Sequence, residues 1–231
     1  MSAGSVGVDA ATATMISLIG SLADNKSALG RRYGEWAVSA PTIESAVAAA
    51  AMAQDELGHA RSTYPVLDKL GVSREDSSLD TGHPMFVIAS ELPDWASVIA
   101  ANLVVDGVLT TFVAGARDSS IEPLAQRARK ILQEEGAHKV HAEAWSRRIV
   151  RAGGADLELL VQRIDEMWAS AARWPGPNDD PGYRAAMSSG MVAFSPLSIR
   201  DRVRDWLTPL VAGISLDEPT DWSDWDEQRR R

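Results

Sequence analysis

Two Glu-x-x-His pairs, Glu56/His59 in "QDELGH" and Glu135/His138 in "EEGAH", lie 135 - 56 = 79 residues apart inside alanine-rich, helix-favouring stretches. Carboxylate and imidazole side chains are costly to bury. Residues at i and i+3 share one helical face, about 5 to 6 Å apart. Each pair can therefore chelate one metal ion, and a chain with two of them must bring two helices face to face.

The rest of the chain supplies those helices. Ala, Leu, Arg, Glu and Met recur in long segments and no β-branched alternation of strand length appears. The reading is nearly all helix. A first helix spans about Asp9 to Val38 and stops at "SAP", because the residue before Pro41 is driven out of the helical region. A second begins with Pro41 in its first turn and reaches about Leu70, with Pro65 expected to kink it or end it early. Gly71 to Pro93, rich in Gly, Pro, Ser and Asp, is a long connection. A third helix starts at Asp94 as N-cap and runs through "WASVIAANLVVDGVLTTFVAGA". "RDSS" turns the chain into a fourth, about Glu122 to Arg151, ended by Gly153-Gly154. A fifth covers Ala155 to Arg173, "WPGPNDDPG" is loop, and a last helix covers Ser198 to Ala212.

Two long helical hairpins joined by a long crossover outline an all-α, ferritin-like four-helix bundle with additional C-terminal helices. Residues 1–231 read as one domain, with 213–231 as a loosely ordered tail in which Trp222 and Trp225 leave room for docking. The chain has no cysteine, which excludes disulfides, thiolate zinc sites, iron–sulfur clusters and thiol nucleophiles. A formal charge of -9 disfavours nucleic acid. No run of about 18 or more apolar residues appears and no secretion signal opens the chain, so no membrane role is expected and the cytoplasm is the expected location.

Partner carboxylates for the two pairs follow from hairpin geometry, because residues facing each other lie at similar distances from the turn. Around a turn near residue 119, Glu135 pairs in depth with Asp106, a lone acid in "NLVVDGVLT". Shifting by 79 maps the position of Asp106 to residue 26 or 27 in the first hairpin, and that residue is Lys26. Glu35 and Asp24 are out of register. The expected metal ligands are therefore Glu56, His59, Asp106, Glu135 and His138, with Lys26 and Asp106 assigned to the chemistry. Glutamate and neutral imidazole suit iron, manganese or zinc.

The alternative for these pairs is a set of buried, hydrogen-bonded polar residues. Glu134 and His141 read as outer-shell or surface residues and His83 as a surface residue. Asp55 is either an outer-shell partner of a ligand histidine or solvent-facing. Tyr33, Trp36 and Trp145 read as core aromatics. Gly58 and Gly107 mark either close helix packing or space for oxygen. Arg31/Arg32 and Arg147/Arg148 are either solvated or a site for CoA phosphates.

"RYGEWAVSAPTIESAVAAAAMAQDELGHA" and "NLVVDGVLTTFVAGARDSSIEPLAQRARKILQEEGAHKVHAEAW" resemble the helix-pair signatures of the ferritin-like subunits of bacterial phenylacetyl-CoA epoxidase, over the central two-thirds of the chain. That epoxidase has a catalytic subunit with a diiron site and a homologous partner that has lost its iron ligands. "QDELGH", "VVDG" and "EEGAH" are similar to the former, "LADNKSALGRRYGEW" and "RDSSIEPLAQRARKILQEE" to the latter. The resemblance places Glu56, His59, Asp106, Glu135 and His138 on the family's iron-ligand positions and Lys26 where its first glutamate would be.

The function so implied is a non-heme iron monooxygenase or oxidase, with one or two iron ions or possible manganese, acting on a small organic or acyl-CoA substrate. Its partners would be dioxygen, a separate reductase, and a second copy or homologous subunit. The alternative is a non-catalytic scaffold that pairs with a homologous diiron subunit. Three carboxylates and an ammonium leave a charge of about -2, enough for one divalent ion. Lys26 has four possible roles: an ion pair replacing one metal, a neutral amine ligand, a carboxylated lysine, or a side chain snorkelling out of the bundle.

Overall fold

The structure, a computed structural model, describes residues 9–72 and 82–231, and among them there is helix and no strand. Helix α1, Ala10–Trp36, starts where the Asp9 carboxylate accepts the Thr12 N–H at 2.8 Å. Helix α2, Ile43–Lys69, is capped by Thr42 rather than opened by Pro41, and Pro65 does not stop it. A short α3, Phe86–Ala89, interrupts the connection. Residues 73–81 of that connection lie outside the described residues.

Helix α4, Trp95–Gly115, begins at Asp94, whose carboxylate takes the Ser97 N–H at 2.7 Å. Its middle, Ala101–Asp106, is π-helical. Helix α5 spans Glu122–Ala152 and ends at Gly153, whose φ of 66° needs glycine. Then follow α6, Gly154–Ala171, α7, Pro181–Ser188, and α8, Pro196–Leu207.

Helices α1, α2, α4 and α5 form the bundle, with α1 laid along α2, α2 against α5 and α5 against α4. Helices α6 and α8 cover the outer side of α4, and α7 covers α1. This explains the composition of α4. Although broken by Asn102, Asp106 and Thr110, it is long and apolar enough to cross a membrane, and most of it is buried. A helix enclosed on every side has no face to keep polar. It is a core helix.

The crossover is pinned from α1. Asp24, out of register for the site, accepts the Tyr64 hydroxyl at 2.8 Å and the His83 N–H at 3.0 Å. Asn25 accepts the Met85 N–H at 2.8 Å. His83, expected at the surface, is half-buried beside these anchors.

One expectation is corrected. Pro181-Gly182 opens α7 instead of continuing a loop, because Asp180 caps the helix through the Tyr183 N–H and a side chain at 182 would meet Thr14 Oγ1 at 2.2 Å. Residues 213–231 lack helix and carry contacts to the body. Glu218 pairs with Arg200 and Arg204, Ser17 Oγ donates to the Glu227 carbonyl at 2.6 Å, and the buried Arg230 donates to the Trp174 and Pro175 carbonyls.

Candidate functional site

Lys26 from α1, Glu56 and His59 from α2, Asp106 from α4, and Glu135 and His138 from α5 converge in the bundle core, each at most 5% exposed. The structure thus brings together all six residues singled out in the sequence. Asp106 ends the π-helical stretch of α4, a widened turn of a kind frequently found at functional sites.

Lys26 lies at the centre. Its Nζ donates to Glu56 Oε1 at 3.0 Å, Asp106 Oδ1 at 2.5 Å and Glu135 Oε1 at 2.5 Å. An ammonium has three N–H donors, and all three are spent on carboxylates. Snorkelling is therefore overturned: the side chain is fully buried.

Burial alone would pull the Lys26 ammonium down, but Asp106, Glu135 and Glu56 outweigh it and hold the group well above the usual lysine value. Burial pushes the Glu135 and Glu56 carboxyls up, and Lys26 overcomes it to hold both below the usual range. Asp106 is pushed up to about 6 by burial and by the charge of Glu135.

The histidines face this cluster with Nδ1. His138 Nδ1 has Glu135 Oε2 at 3.3 Å, Glu56 Oε1 at 3.4 Å and Asp106 Oδ2 at 3.4 Å. His59 Nδ1 has Glu135 Oε1 at 3.4 Å and Glu56 Oε2 at 3.7 Å. Burial disfavours the charged imidazoles, yet these carboxylates raise His59 to about 9 and His138 further.

Each Nε2 meets the acid that precedes the glutamate of the opposite motif. His59 Nε2 pairs with Glu134 at 2.9 Å, and His138 Nε2 with Asp55 at 3.3 Å. The unit is therefore acid-Glu-x-x-His, used reciprocally. Asp55, 38% exposed, both contacts His138 and faces solvent. A carboxylate on Nε2 keeps a proton there, so that a metal ion displacing the Nδ1 proton would find that nitrogen turned to the cluster.

The donor chemistry fits a divalent metal. Glu56 Oε2, His59 Nδ1 and His138 Nδ1 are buried without a hydrogen-bond partner among the described residues. One oxygen from each of Glu56, Asp106 and Glu135 and one nitrogen of His138 lie within 4.8 Å of one another. Oxygen and imidazole donors of this kind suit iron or manganese.

The whole chain, residues 1–231, matches the family model described as "Phenylacetic acid catabolic protein". The chain belongs to the phenylacetic acid catabolic protein family. It is 26% identical over 217 residues to one of the subunits of the 1,2-phenylacetyl-CoA epoxidase of Escherichia coli (strain K12), covering 91% of this chain and 70% of that protein. It is also 24% identical over 200 residues to another of the subunits of the same epoxidase, covering 84% of this chain and 78% of that protein.

Features of this family member not read from its sequence surround the cluster. Tyr33, seven residues and two turns beyond Lys26 on α1, buries an unpartnered hydroxyl. Burial and the three carboxylates push its phenol well above the usual value, so it stays protonated. Thr110 Oγ1 approaches Asp106 Oδ1 at 3.4 Å. A cavity of about 230 Å³ reaches Asp106 and Glu135 from outside, between Asn102, Gly136, Lys139 and Trp206.

The two ambiguous glycines separate. At Gly107 a Cβ would meet Trp206 Cζ3 at 3.0 Å, whereas at Gly58 it would meet nothing within 4 Å. Close packing explains the first. His141 is half-buried and edge-on to Trp95, with ring centroids 6.0 Å apart. Trp36 and Trp145 are also half-buried and pack on Trp95. The arginine pairs already have partners: Arg31 donates to Ser27, Arg32 pairs with Glu35, Arg147 with Glu143, and Arg148 stacks on Trp145.

Proposed function

We propose that this chain is a non-heme iron enzyme that activates dioxygen, a monooxygenase or oxidase acting on a small organic or acyl-CoA substrate with electrons from a separate reductase. One observation carries the reading. Two imidazoles are aimed by Nδ1 at shared buried carboxylates while their Nε2 atoms are held by Asp55 and Glu134. A merely structural pair would have its inward nitrogens satisfied, and these are not.

Held among Glu56, Asp106, Glu135 and His138, with His59 beside them, iron would supply the one-electron and dioxygen chemistry that side chains lack. The chain's own residues do the rest. Asp55 and Glu134 hold the ligand imidazoles in one tautomer. Lys26 gathers the carboxylates and offsets their mutual repulsion. Helices α6 and α8 over α4 keep bulk water from the site, and the cavity beside Gly136 gives a small substrate its approach to Asp106 and Glu135.

With no cysteine in the chain, electrons have no thiolate-bound cluster to pass through and come from another protein. The relatives are named as subunits, which supports assembly with a second copy or a homologous subunit. One observation favours the scaffold reading: the Lys26 ammonium already bridges three carboxylates, a network that closes without metal.

Anaerobic loading with ferrous iron, then exposure to dioxygen with a chemical reductant in excess, separates the two. The enzyme reading expects iron-dependent oxygen uptake over repeated turnovers, abolished in Glu56→Ala. Uptake no greater than in Glu56→Ala would leave the scaffold.

A further inference from the structure

We infer that Lys26 takes the place of one of two metal ions, so that this chain holds a single divalent cation bound by Glu56, Asp106, Glu135 and His138. The inference rests on the metal-binding reading above and adds its number and place.

Lys26 is not adjacent to a site but inside it. Its three hydrogen bonds consume one oxygen of each bridging carboxylate, Glu56 Oε1, Asp106 Oδ1 and Glu135 Oε1. With every N–H committed, the nitrogen has no lone pair to offer a metal. A carbamate nitrogen has a single N–H and no positive charge, and could not meet the three carboxylate oxygens that close on Nζ. The amine-ligand and carboxylated-lysine roles both fail on this geometry.

The remaining donors are unevenly divided. On the His138 side, Asp106 Oδ2 and Glu135 Oε2 are the oxygens Lys26 does not use, and both lie within 3.4 Å of His138 Nδ1. Glu56 Oε1, also 3.4 Å from that nitrogen but shared with Lys26, completes a four-donor set. On the His59 side, the uncommitted oxygen is Glu56 Oε2 at 3.7 Å, and the other contact, Glu135 Oε1, already serves Lys26. The His138 half thus offers three donors that Lys26 does not use, Nδ1 included, against two on the His59 side.

Charge agrees. Three carboxylates and one ammonium sum to -2, neutralised by one divalent ion. A second would leave +2 buried in the bundle core, where uncompensated charge is costly. The ion so placed borders the cavity lined by Asp106 and Glu135, open to small molecules.

The test loads the full chain with Mn²⁺ and measures metal per chain by elemental analysis after desalting, with electron paramagnetic resonance on the same samples. The expected result is one ion with an isolated-ion spectrum for the wild type, and two ions with a spin-coupled spectrum for Lys26→Glu. Two ions in the wild type, or one in a folded Lys26→Glu, would overturn the inference while leaving metal binding intact. No ion in the wild type would overturn both readings.

Should Lys26→Glu fail to fold, a second pair of variants decides. His138→Ala is expected to lose the ion and His59→Ala to retain it, and the reverse pattern would overturn the placement.

Discussion

Replacing Lys26 with methionine removes the positive centre of the cluster and keeps its volume. Three carboxylates then face one another with no cation between them, at positions 0%, 3% and 5% exposed. Removing one partner of a buried ion pair costs about 3–5 kcal/mol, because the other charge is left uncompensated. In a domain of this size each kcal/mol moves the melting midpoint by about 2–4 °C. The expected loss is therefore about 6–20 °C in the presence of a chelator, read by circular dichroism at 222 nm. A divalent ion binding the native state at a hundred times its Kd returns about 2.7 kcal/mol. Mn²⁺ should consequently raise the Lys26→Met midpoint by more than it raises the wild type. A midpoint within about 2 °C of wild type in chelator would mean that the ammonium does not balance these carboxylates, and the described geometry would be wrong.

Three further outcomes follow from particular contacts. Asp55→Ala releases the Nε2 of His138 and is expected to weaken metal binding by about 10–100-fold in a competition titration, whereas Glu134→Ala releases His59, outside the single-ion donor set, and should leave binding unchanged; neither should change melting much. Gly136→Leu adds a side chain where a Cβ meets nothing within 4 Å, on the wall of the cavity beside Glu135. It should gain up to about 1 kcal/mol of helix propensity, leave metal content unchanged and slow oxygen uptake. A faster or unchanged rate would remove the cavity from the account. The Glu218 carboxyl is held below its ordinary value near 4.5, since Arg204 and Arg200 outweigh its burial. A depressed carboxylate pKa stabilises above the unfolded value and is lost as pH falls through the folded one. Docking of the segment around Trp222 should therefore loosen only below pH 4.5, seen as proteolysis confined to residues 213–231 and reproduced by Glu218→Gln at neutral pH.

The bundle was legible because its helices are long and its start and stop signals local. Asp94, Gly153 and the "RDSS" turn act where their chemistry says they should. Asp106 could be placed from the 79-residue offset because helical rise is constant, even though the π-helical stretch before it left no mark in the sequence. What could not be read was long-range. "DPG" looks like a turn until Thr14 from α1 presses on Gly182, and Arg230 looks solvated until the Trp174 and Pro175 carbonyls receive it. The role of Lys26 stayed open for the same reason. Register put it at the right depth, but only three carboxylate distances distinguish a charge at the centre of the cluster from a side chain passing out of it. The acids before each motif glutamate carried a signal that was half seen. Asp55 and Glu134 occupy equivalent positions 79 residues apart, and their crossing onto the opposite histidine needs the fold.

The measurement that bears most directly on the central claim is anomalous diffraction at the metal edge from crystals of the chain loaded with Mn²⁺. The expected map has one peak, bounded by Glu56, Asp106, Glu135 and His138, with Lys26 Nζ still against Asp106 Oδ1 and Glu135 Oε1. Two peaks, or a cluster that excludes the metal with Lys26 bonded as described, would contradict it.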